Sequence, residues 1–274
     1  MTRPSRLVLI GHPVAHSFSP GMQGAALSAA GISVKYSVAD VAPGELRATL
    51  DALSNEHAAG NITIPHKEAA RALMTRVTPL ADRIGAANTF YTADDGALVG
   101  DNTDVAGFAD LVTSVLGTVP ASARFAVIGA GGAAAAVLAA IETWTGCSAV
   151  IYARNKTRAQ NLSQRFSGVA SVKAMMDAPQ LDGDIVVNAT PVGLNDDGLP
   201  VELSRVAPGA AVLDLICRAG ETAWVRLARA RGHVAGDGAA MLVGQGAAAF
   251  EIWFGVPPDR EAMWRGLTLQ MQST

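Results

Sequence analysis

The chain is poor in cysteine, in charge and in aromatic residues, and it lacks a long apolar run. Its two cysteines, Cys147 and Cys217, are too few for a disulfide framework or for a metal site built from thiolates. A net charge of −3, with 16% charged residues, gives no overall positive field that would attract nucleic acid or an anionic membrane. The most apolar window, residues 133–141, is too short to span a bilayer, and residues 1–6 lack the apolar core of a signal peptide. We therefore expect a cytoplasmic protein that binds neither nucleic acid nor membrane.

Histidine is also scarce. The five histidines, among them His12, His16 and His66, lack the spacing of metal ligands. We predict turn or surface roles for them and no bound metal. Half of the residues are hydrophobic, which is ample for one large or two modest domains.

Apolar strand patterns alternate with helical patterns along most of the chain. The predicted strands lie at residues 7–10, 34–38, 62–64, 89–92, 125–128, 149–152, 184–188 and 211–216. This alternation predicts an α/β fold in which mostly parallel sheets are covered by helices on both faces. We predict one domain over residues 1–103, a second over residues 104–237, and C-terminal helices over residues 238–274 that pack back on the first domain.

A glycine-rich turn follows the strand at residues 125–128 and precedes an alanine-rich helix. Gly129 allows the tight turn, Gly131 lets the backbone approach a phosphate, and Ala134 allows close packing of the helix on the strand. The N-terminus of such a helix favours an anion, so the pattern predicts a dinucleotide site that includes Ala130, Gly132 and Ala133. The alternative is a flexible turn before an alanine-rich helix, without a ligand.

The segment after the next strand is basic. It contains Ala153, Arg154, Asn155 and Arg158, and it has no acid that could hold the ribose hydroxyls of NAD. Arginine presents a charged, planar fork of donors that suits a 2′-phosphate. The segment therefore predicts NADP, whereas the alternative is that the arginines are solvated side chains at a helix start.

Lys67 and Asp104 form a candidate pair for proton transfer. Pro65 suits the first turn of a helix, which would put Lys67 in that turn, where the helix dipole disfavours a cation. Asp104 ends a polar cluster just before another helix. A carboxylate can orient an ammonium group and hold a substrate hydroxyl, while the amine takes the proton. The alternatives are a solvated surface lysine and an aspartate that only caps its helix.

Several blocks of sequence together resemble the shikimate dehydrogenase family. They span most of the chain in the family's order, and they lie at residues 11–20, 61–68, 85–89, 102–104, 129–133, 188–193 and 238–245. The resemblance implies an N-terminal substrate-binding domain with a mixed sheet, a Rossmann-like NADP-binding domain, and C-terminal helices that return to the first domain. It also implies the reversible, NADP-dependent reduction of 3-dehydroshikimate to shikimate in aromatic amino-acid biosynthesis.

The resemblance also assigns roles to single residues. Lys67 is expected to transfer the proton with Asp104 as its partner, and Ser17 and Ser19 to hold the substrate carboxylate. The residues expected to hold the ring hydroxyls or the carboxylate are Asn61, Thr63, Asn88 and Gln245. Those expected near the nicotinamide are Thr190, Pro191, Gly193, Leu215, Gly238 and Met241, of which Met241 could equally be a core residue.

One position departs from the family pattern. The family usually has a tyrosine in the run that begins here at Asp214, and Cys217 takes that place as a candidate substrate contact. Because a thiol is shorter and a weaker hydrogen-bond partner, the substrate could instead be quinate or an amino-substituted shikimate. A protein of another class, a non-catalytic sensor of NADP(H) or of a pathway acid, is the further alternative. The sequence leaves monomer and homodimer both open.

Overall fold

The structure is a computed structural model, and it describes residues 3–174 and 180–273. The chain forms two compact units, one of Met1–Thr103 together with Val243–Thr274 and one of Asp104–Leu242. The helices and strands within Met1–Thr103 are β1 (Leu7–Gly11), α1 (Ser19–Ala29), β2 (Tyr36–Asp40), α2 (Leu46–Asn55), β3 (Ala59–Ile62), α3 (Lys67–Leu73), β4 (Arg76–Val77), α4 (Pro79–Ile84), β5 (Thr89–Thr92) and β6 (Leu98–Asp101). The remaining elements are α5 (Asp104–Leu116), β7 (Arg124–Ile128), α6 (Gly132–Glu142), β8 (Ser148–Ala153), α7 (Lys156–Arg165), β9 (Ala170–Ala174), β10 (Ile185–Asn188), β11 (Ala211–Asp214), α8 (Ala223–Ala230), β12 (Ala235–Gly236), α9 (Ala239–Phe254) and α10 (Arg260–Gln272).

The first unit is built on a mixed sheet with the strand order β2-β1-β3-β5-β6-β4. Strands β2, β1 and β3 run parallel, and β5 runs antiparallel to both of its neighbours, β3 and β6. Helix α2 covers the sheet with Leu46, Leu50 and Leu53, which recur at helical spacing and are buried. They pack in one core with Ile10 and Phe90 from the strands.

The last helix, α10, packs closely on α1. Gly21 and Gly266 lie where the two helices cross, and each lacks the side chain that would keep the backbones apart. Asp259 caps the start of α10, because its side chain accepts the N–H of Ala262 at 2.9 Å. In the same unit, the Trp253 indole N–H of α9 donates to the carbonyl oxygen of Phe90 at 3.2 Å. The C-terminal helices thus return to the first unit, as the sequence predicted.

The second unit is a parallel sheet with the strand order β12-β11-β10-β7-β8-β9. All neighbouring strands in it are parallel, so each connection crosses over the sheet. The order reverses between β7 and β10, which is the position where Rossmann-type folds open a crevice for a dinucleotide. The buried side chains of Ile128, Tyr152, Val186 and Trp224 belong to one core cluster. The predicted fold class is therefore confirmed for both units.

A buried hydrogen-bond network lies behind the carboxyl ends of β10 and β11. The Asp214 carboxylate accepts from Asn188 Nδ2 at 2.8 Å, from the Thr222 hydroxyl at 2.8 Å and from the N–H of Ile216 at 3.2 Å. Asn188 Oδ1 in turn accepts the Thr190 hydroxyl at 2.7 Å. The network therefore fixes the loops that leave both strands.

Two sequence expectations need correction, and a third stays open. The strand predicted at residues 62–64 ends at Ile62, and the side chain of Ile64 is 60% exposed. Helix α3 begins at Lys67, so Pro65 lies before the helix rather than in its first turn. The predicted domain limits at residues 103 and 237 stay a prediction.

In the part of the chain that the structure describes, no helix is both long and apolar enough to cross a membrane.

We expect Gly266→Ala to destabilise the first unit by about 1–3 kcal/mol, the usual cost of overpacking. The new methyl group would meet the backbone of Gly21, which cannot rotate aside as a side chain could. The free energy of unfolding in urea, followed by tryptophan fluorescence, measures the effect.

Gly24→Ala on α1 is the matched control. Among the described atoms, none lies within 4 Å of a Cβ added at Gly24, so this variant should gain about 0.5–1 kcal/mol from helix propensity. Equal stability of the two variants would contradict a tight crossing at Gly266.

The network at Asp214 predicts a pH dependence of stability. Burial raises the pKa of this carboxyl from 3.8 to about 6, against the opposing effect of the hydrogen bonds that it accepts. Because the folded-state pKa lies above the unfolded one, this group's stabilisation is complete below about pH 4 and is lost as the pH rises through about 6.

The variant Asp214→Asn tests this dependence, because its side-chain amide does not titrate. The difference in unfolding free energy between wild type and variant should shift by about 2 kcal/mol against the wild type from pH 4 to pH 7. Urea unfolding across that range measures it, and a constant difference would refute the assignment.

Candidate functional site

Two serines precede and open helix α1. Ser17 lies in the segment after β1, and its Oγ accepts the N–H of Ser19 at 3.3 Å. This bond uses an oxygen lone pair, so the Ser17 hydroxyl keeps its hydrogen for donation. Ser19 is the first residue of α1, is buried, and hydrogen-bonds the phenol of Tyr36. The two predicted carboxylate ligands therefore lie on one short segment.

A row of hydrogen-bonded polar side chains runs through the buried part of the first unit. The Tyr36 hydroxyl donates to Asn61 Oδ1 at 2.9 Å, and Asn61 Nδ2 donates to Thr89 Oγ1 at 3.0 Å. The Thr89 hydroxyl donates to Asn88 Oδ1 at 3.1 Å, and Asn88 Nδ2 donates to Gln245 Oε1 at 3.4 Å. We call these five residues the polar row. It brings together three predicted substrate residues that lie far apart in sequence.

Tyr36 is a member of this row that the sequence analysis missed. Burial raises the pKa of its phenol above the ordinary value of 10, and the hydrogen bond with Ser19 acts in the opposite direction. The phenol therefore stays protonated at neutral pH and remains a donor to Asn61. The alternating pattern of residues 34–38 predicted a strand here, but a strand pattern does not reveal which group a buried hydroxyl meets.

The segment between α4 and β5 holds the backbone next to both residues of the predicted proton-transfer pair. Ala87 donates its N–H to the carbonyl oxygen of Lys67 at 2.9 Å. Thr103 donates its N–H to Asn88 Oδ1 at 2.7 Å. Asp104 is the next residue along the chain and opens α5. Adjacent residues of one segment thus anchor the chain at Lys67 and immediately before Asp104.

The burial of these side chains differs. Lys67 is the first residue of α3 and is half-buried, as expected of a residue in an opening turn. Asp104 is buried in the first turn of α5, where a carboxylate interacts favourably with the helix dipole. Thr63 is half-buried and packs against Gly11 at the end of β1.

The glycine-rich turn of the second unit has the geometry of a phosphate-binding loop. Gly129 has a positive φ of 118°, and an added Cβ would lie 2.7 Å from the carbonyl oxygen of Ala189 after β10. Only glycine fits that position. Gly131 is the N-cap of α6, and no described atom lies within 4 Å of a Cβ added there. The backbone at this helix start is therefore open to an approaching anion, as a dinucleotide pyrophosphate requires.

The basic segment follows β8, the neighbour of β7 in the sheet. Arg154 is exposed in the connection, and Arg158 is exposed in the first turn of α7. The Asn155 side chain accepts the N–H of Arg158 at 2.9 Å and so caps the helix. Ala153 is the last residue of β8. These positions fit the predicted 2′-phosphate site, with Asn155 holding the backbone from which Arg158 extends.

Four of the predicted nicotinamide residues lie on the loops held by the Asp214 network, namely Thr190, Pro191, Gly193 and Leu215. The Thr190 hydroxyl oxygen accepts the N–H of Val192 at 3.2 Å, which shapes the turn that contains Pro191 and Gly193. Gly238 packs on the backbone of Leu215, where an added Cβ would overlap it. Met241 is buried on the first turn of α9. The structure thus brings Leu215 and Gly238 together.

Cys217 is a neutral thiol in this structure. Burial raises its pKa to about 12, and the charge of Asp237 adds to the shift. A thiol that stays protonated is a weak donor and a poor nucleophile. The adjacent Arg218 donates to the backbone carbonyl oxygens of Gly193 at 3.1 Å and Asp196 at 2.6 Å. The guanidinium therefore holds the loop after β10, a role that the sequence analysis did not identify.

Across residues 3–174 and 180–273, no three His, Cys, Asp or Glu side chains group closely enough to hold a metal ion.

Comparison with known proteins identifies the family. The substrate-binding-domain model of shikimate dehydrogenase matches residues 9–90, and the C-terminal-domain model of shikimate 5′-dehydrogenase matches residues 238–266. The chain is 41% identical to the shikimate dehydrogenase (NADP(+)) of Rubrobacter xylanophilus, over 95% of this chain and 94% of that protein. It is 38% identical to the enzyme of the same name from Geobacter metallireducens, with 94% of each covered.

A solved structure agrees with the sequence comparison. Shikimate 5-dehydrogenase from Thermus thermophilus, in complex with NADP(H) and shikimate, superposes with a TM-score of 0.88 at 35% identity. The superposition covers 97% of this chain and 99% of that chain. The resemblance seen in the motifs is thereby confirmed, and the chain belongs to the shikimate dehydrogenase family.

Proposed function

We propose that this protein catalyses the reversible, NADP-dependent reduction of 3-dehydroshikimate to shikimate in the biosynthesis of chorismate and the aromatic amino acids. The observation that carries the proposal is similarity along 95% of the chain to an enzyme named for this activity. The polar row supports it, since a small polyhydroxy acid needs several short donors and acceptors close together.

The substrate would be bound by the first unit. Ser17 and Ser19 hold the carboxylate, and Thr63 and the amides of Asn61, Asn88 and Gln245 meet the ring hydroxyls or the carboxylate. The shared segment of the two serines and the bonds of the polar row support this assignment. Side chains held by one another reach the substrate already ordered, which lowers the entropic cost of binding.

Lys67 would move the proton. When shikimate is oxidised, the C–H bond of the carbinol carbon breaks, the hydride leaves to the cofactor, and the hydroxyl proton passes to the neutral amine of Lys67. In the reverse direction the Lys67 ammonium returns that proton to the carbonyl oxygen as hydride arrives at carbon. Asp104 orients the amine and the substrate hydroxyl. The anchoring of both backbones by adjacent residues, Ala87 and Asn88, supports the pairing.

NADP fits the second unit and would supply or accept the hydride there. The open backbone at Gly131 receives the pyrophosphate, and Arg154 and Arg158 pair with the 2′-phosphate. The absence of an acid between residues 153 and 158 disfavours NAD, whose ribose hydroxyls need a carboxylate acceptor. A cytoplasmic location and a monomeric or homodimeric state belong to the same proposal.

The thiol of Cys217 is the feature that favours an alternative substrate. A protonated thiol offers a weaker hydrogen bond than the phenol usual in the family, so one contact to the acid is weakened. Quinate or an amino-substituted shikimate would use the same Lys67 chemistry on a cyclohexanol acid. A non-catalytic sensor of NADP(H) is the alternative from another class.

The proposed function predicts turnover of shikimate with NADP at alkaline pH, measured as the increase in absorbance at the nicotinamide band. We expect kcat/KM to be higher for shikimate than for quinate, and higher with NADP than with NAD. Faster turnover of quinate would reassign the substrate. Cofactor binding without turnover of either acid would favour the sensor.

Lys67→Met should lower kcat by about 10²–10⁴-fold, because it removes the group that takes the proton while keeping most of the side-chain volume. The KM for shikimate should change far less. Steady-state kinetics measure both constants. Lys35→Met, on an exposed lysine of the same unit, is the matched control and should retain wild-type kinetics. An increase in KM alone would assign Lys67 to binding.

A further inference from the structure

The side-chain amide of Gln270 bridges α10 to the segment that carries both serines. Its Oε1 accepts the N–H of Gly21 at 2.7 Å, and its Nε2 donates to the carbonyl oxygen of Ser17 at 2.8 Å. The two partners lie about 250 residues earlier in the chain. The bonds bracket residues 17–21, so one amide fixes this segment at both ends.

This bridge supplies the N–H of Gly21 with an acceptor that the N-cap residue cannot provide. The first N–H groups of a helix have no partner within the helix and need one from outside. The N-cap of α1 is Phe18, whose aromatic side chain cannot accept a hydrogen bond. Gly21 is the third residue of α1, so its N–H belongs to this set. Gln270 therefore caps α1 from a different helix.

The helix crossing sets the position of this amide. Gly266 precedes Gln270 by four residues, so both lie on the face of α10 that meets α1. At Gly266 the backbones of the two helices approach so closely that an added Cβ would overlap the carbonyl oxygen of Gly21. Because the crossing is close, the amide of Gln270 reaches the backbone on both sides of Phe18.

We propose that Gln270 is a positioning residue for the substrate carboxylate. It does not touch the substrate; it holds the backbone of residues 17–21 so that Ser17 and Ser19 stand in the positions in which they bind the carboxylate. The inference rests on the proposed function, in which these two serines bind that group. A group held in place before binding contributes more affinity than one that must be ordered on binding.

Gln270→Met tests the role, because it removes both hydrogen bonds and keeps the length of the side chain. The KM for shikimate should rise about tenfold, which is the effect expected for the loss of one to two net hydrogen bonds. Neither kcat nor the KM for NADP should change more than about threefold. Gln270→Glu keeps the acceptor for Gly21 but places a carboxylate oxygen against the Ser17 carbonyl, so it should raise the KM at least as much.

The methyl ester of shikimate separates positioning from general destabilisation. The ester lacks the negative charge that the serines are oriented to receive, so its kcat/KM should change little in either variant. The ratio of kcat/KM for the acid to that for the ester should therefore fall about tenfold. General destabilisation of the fold would instead lower kcat/KM for the acid and for the ester by the same factor. Gln272→Met, an exposed substitution on the same helix, is the matched control and should keep the wild-type ratio.

Each outcome is decisive. If wild type turns over shikimate and both Gln270 variants keep its KM and its acid-to-ester ratio, the positioning role is refuted and the proposed function stands. If wild type turns over neither shikimate nor its ester, the proposed function fails and this role fails with it. Circular dichroism shows whether each variant is folded. If Gln270→Met is unfolded, the KM and the acid-to-ester ratio of Gln270→Glu, which retains the acceptor for the Gly21 N–H, decide the question.

Discussion

The close crossing of α1 and α10 is the constraint on which the first unit depends. The segment of residues 17–21, which carries Ser17 and Ser19, leads into α1. The polar row begins beside it at Tyr36, which hydrogen-bonds Ser19. A helix about 250 residues further along the chain thus determines the position of Ser17 and Ser19, the proposed carboxylate ligands. Glycine at the crossing permits this, since larger residues on either helix would separate the backbones. Helix packing and the proposed binding of the substrate carboxylate are therefore coupled at one contact.

The two units arrange their buried polar groups differently. In the first, amides and hydroxyls bond to one another along the polar row, and each bond orients a group that the proposed substrate needs. In the second, a single carboxylate, Asp214, collects three donors and fixes the loops after β10 and β11. Buried polar groups are costly unless they are paired. In both units the pairing also gives loops and side chains a defined direction.

Much of the fold could be predicted because its signals are local. The glycine turn between strand and helix, the basic segment and the series of apolar strands each lie within a few residues of chain. Other features could not be predicted, because they depend on contacts between distant residues. Tyr36 meets Asn61 across the sheet, and Gln270 meets Ser17 from the opposite end of the sequence. Helix α1 was not predicted either, since its glycines and small residues give no clear apolar spacing.

The return of α10 to α1 also affects how the protein is made. The ribosome releases residues 17–21 about 250 residues before it synthesises Gln270, which caps and holds them. Domains usually fold in the order in which they emerge. The second unit, Asp104–Leu242, is complete in sequence before α10 of the first unit is synthesised, so the second unit can finish folding while the first still waits for α10. Nascent chains stalled before residue 260 should therefore display an ordered Rossmann-like core, together with a first unit in which α1 lacks its packing partner α10.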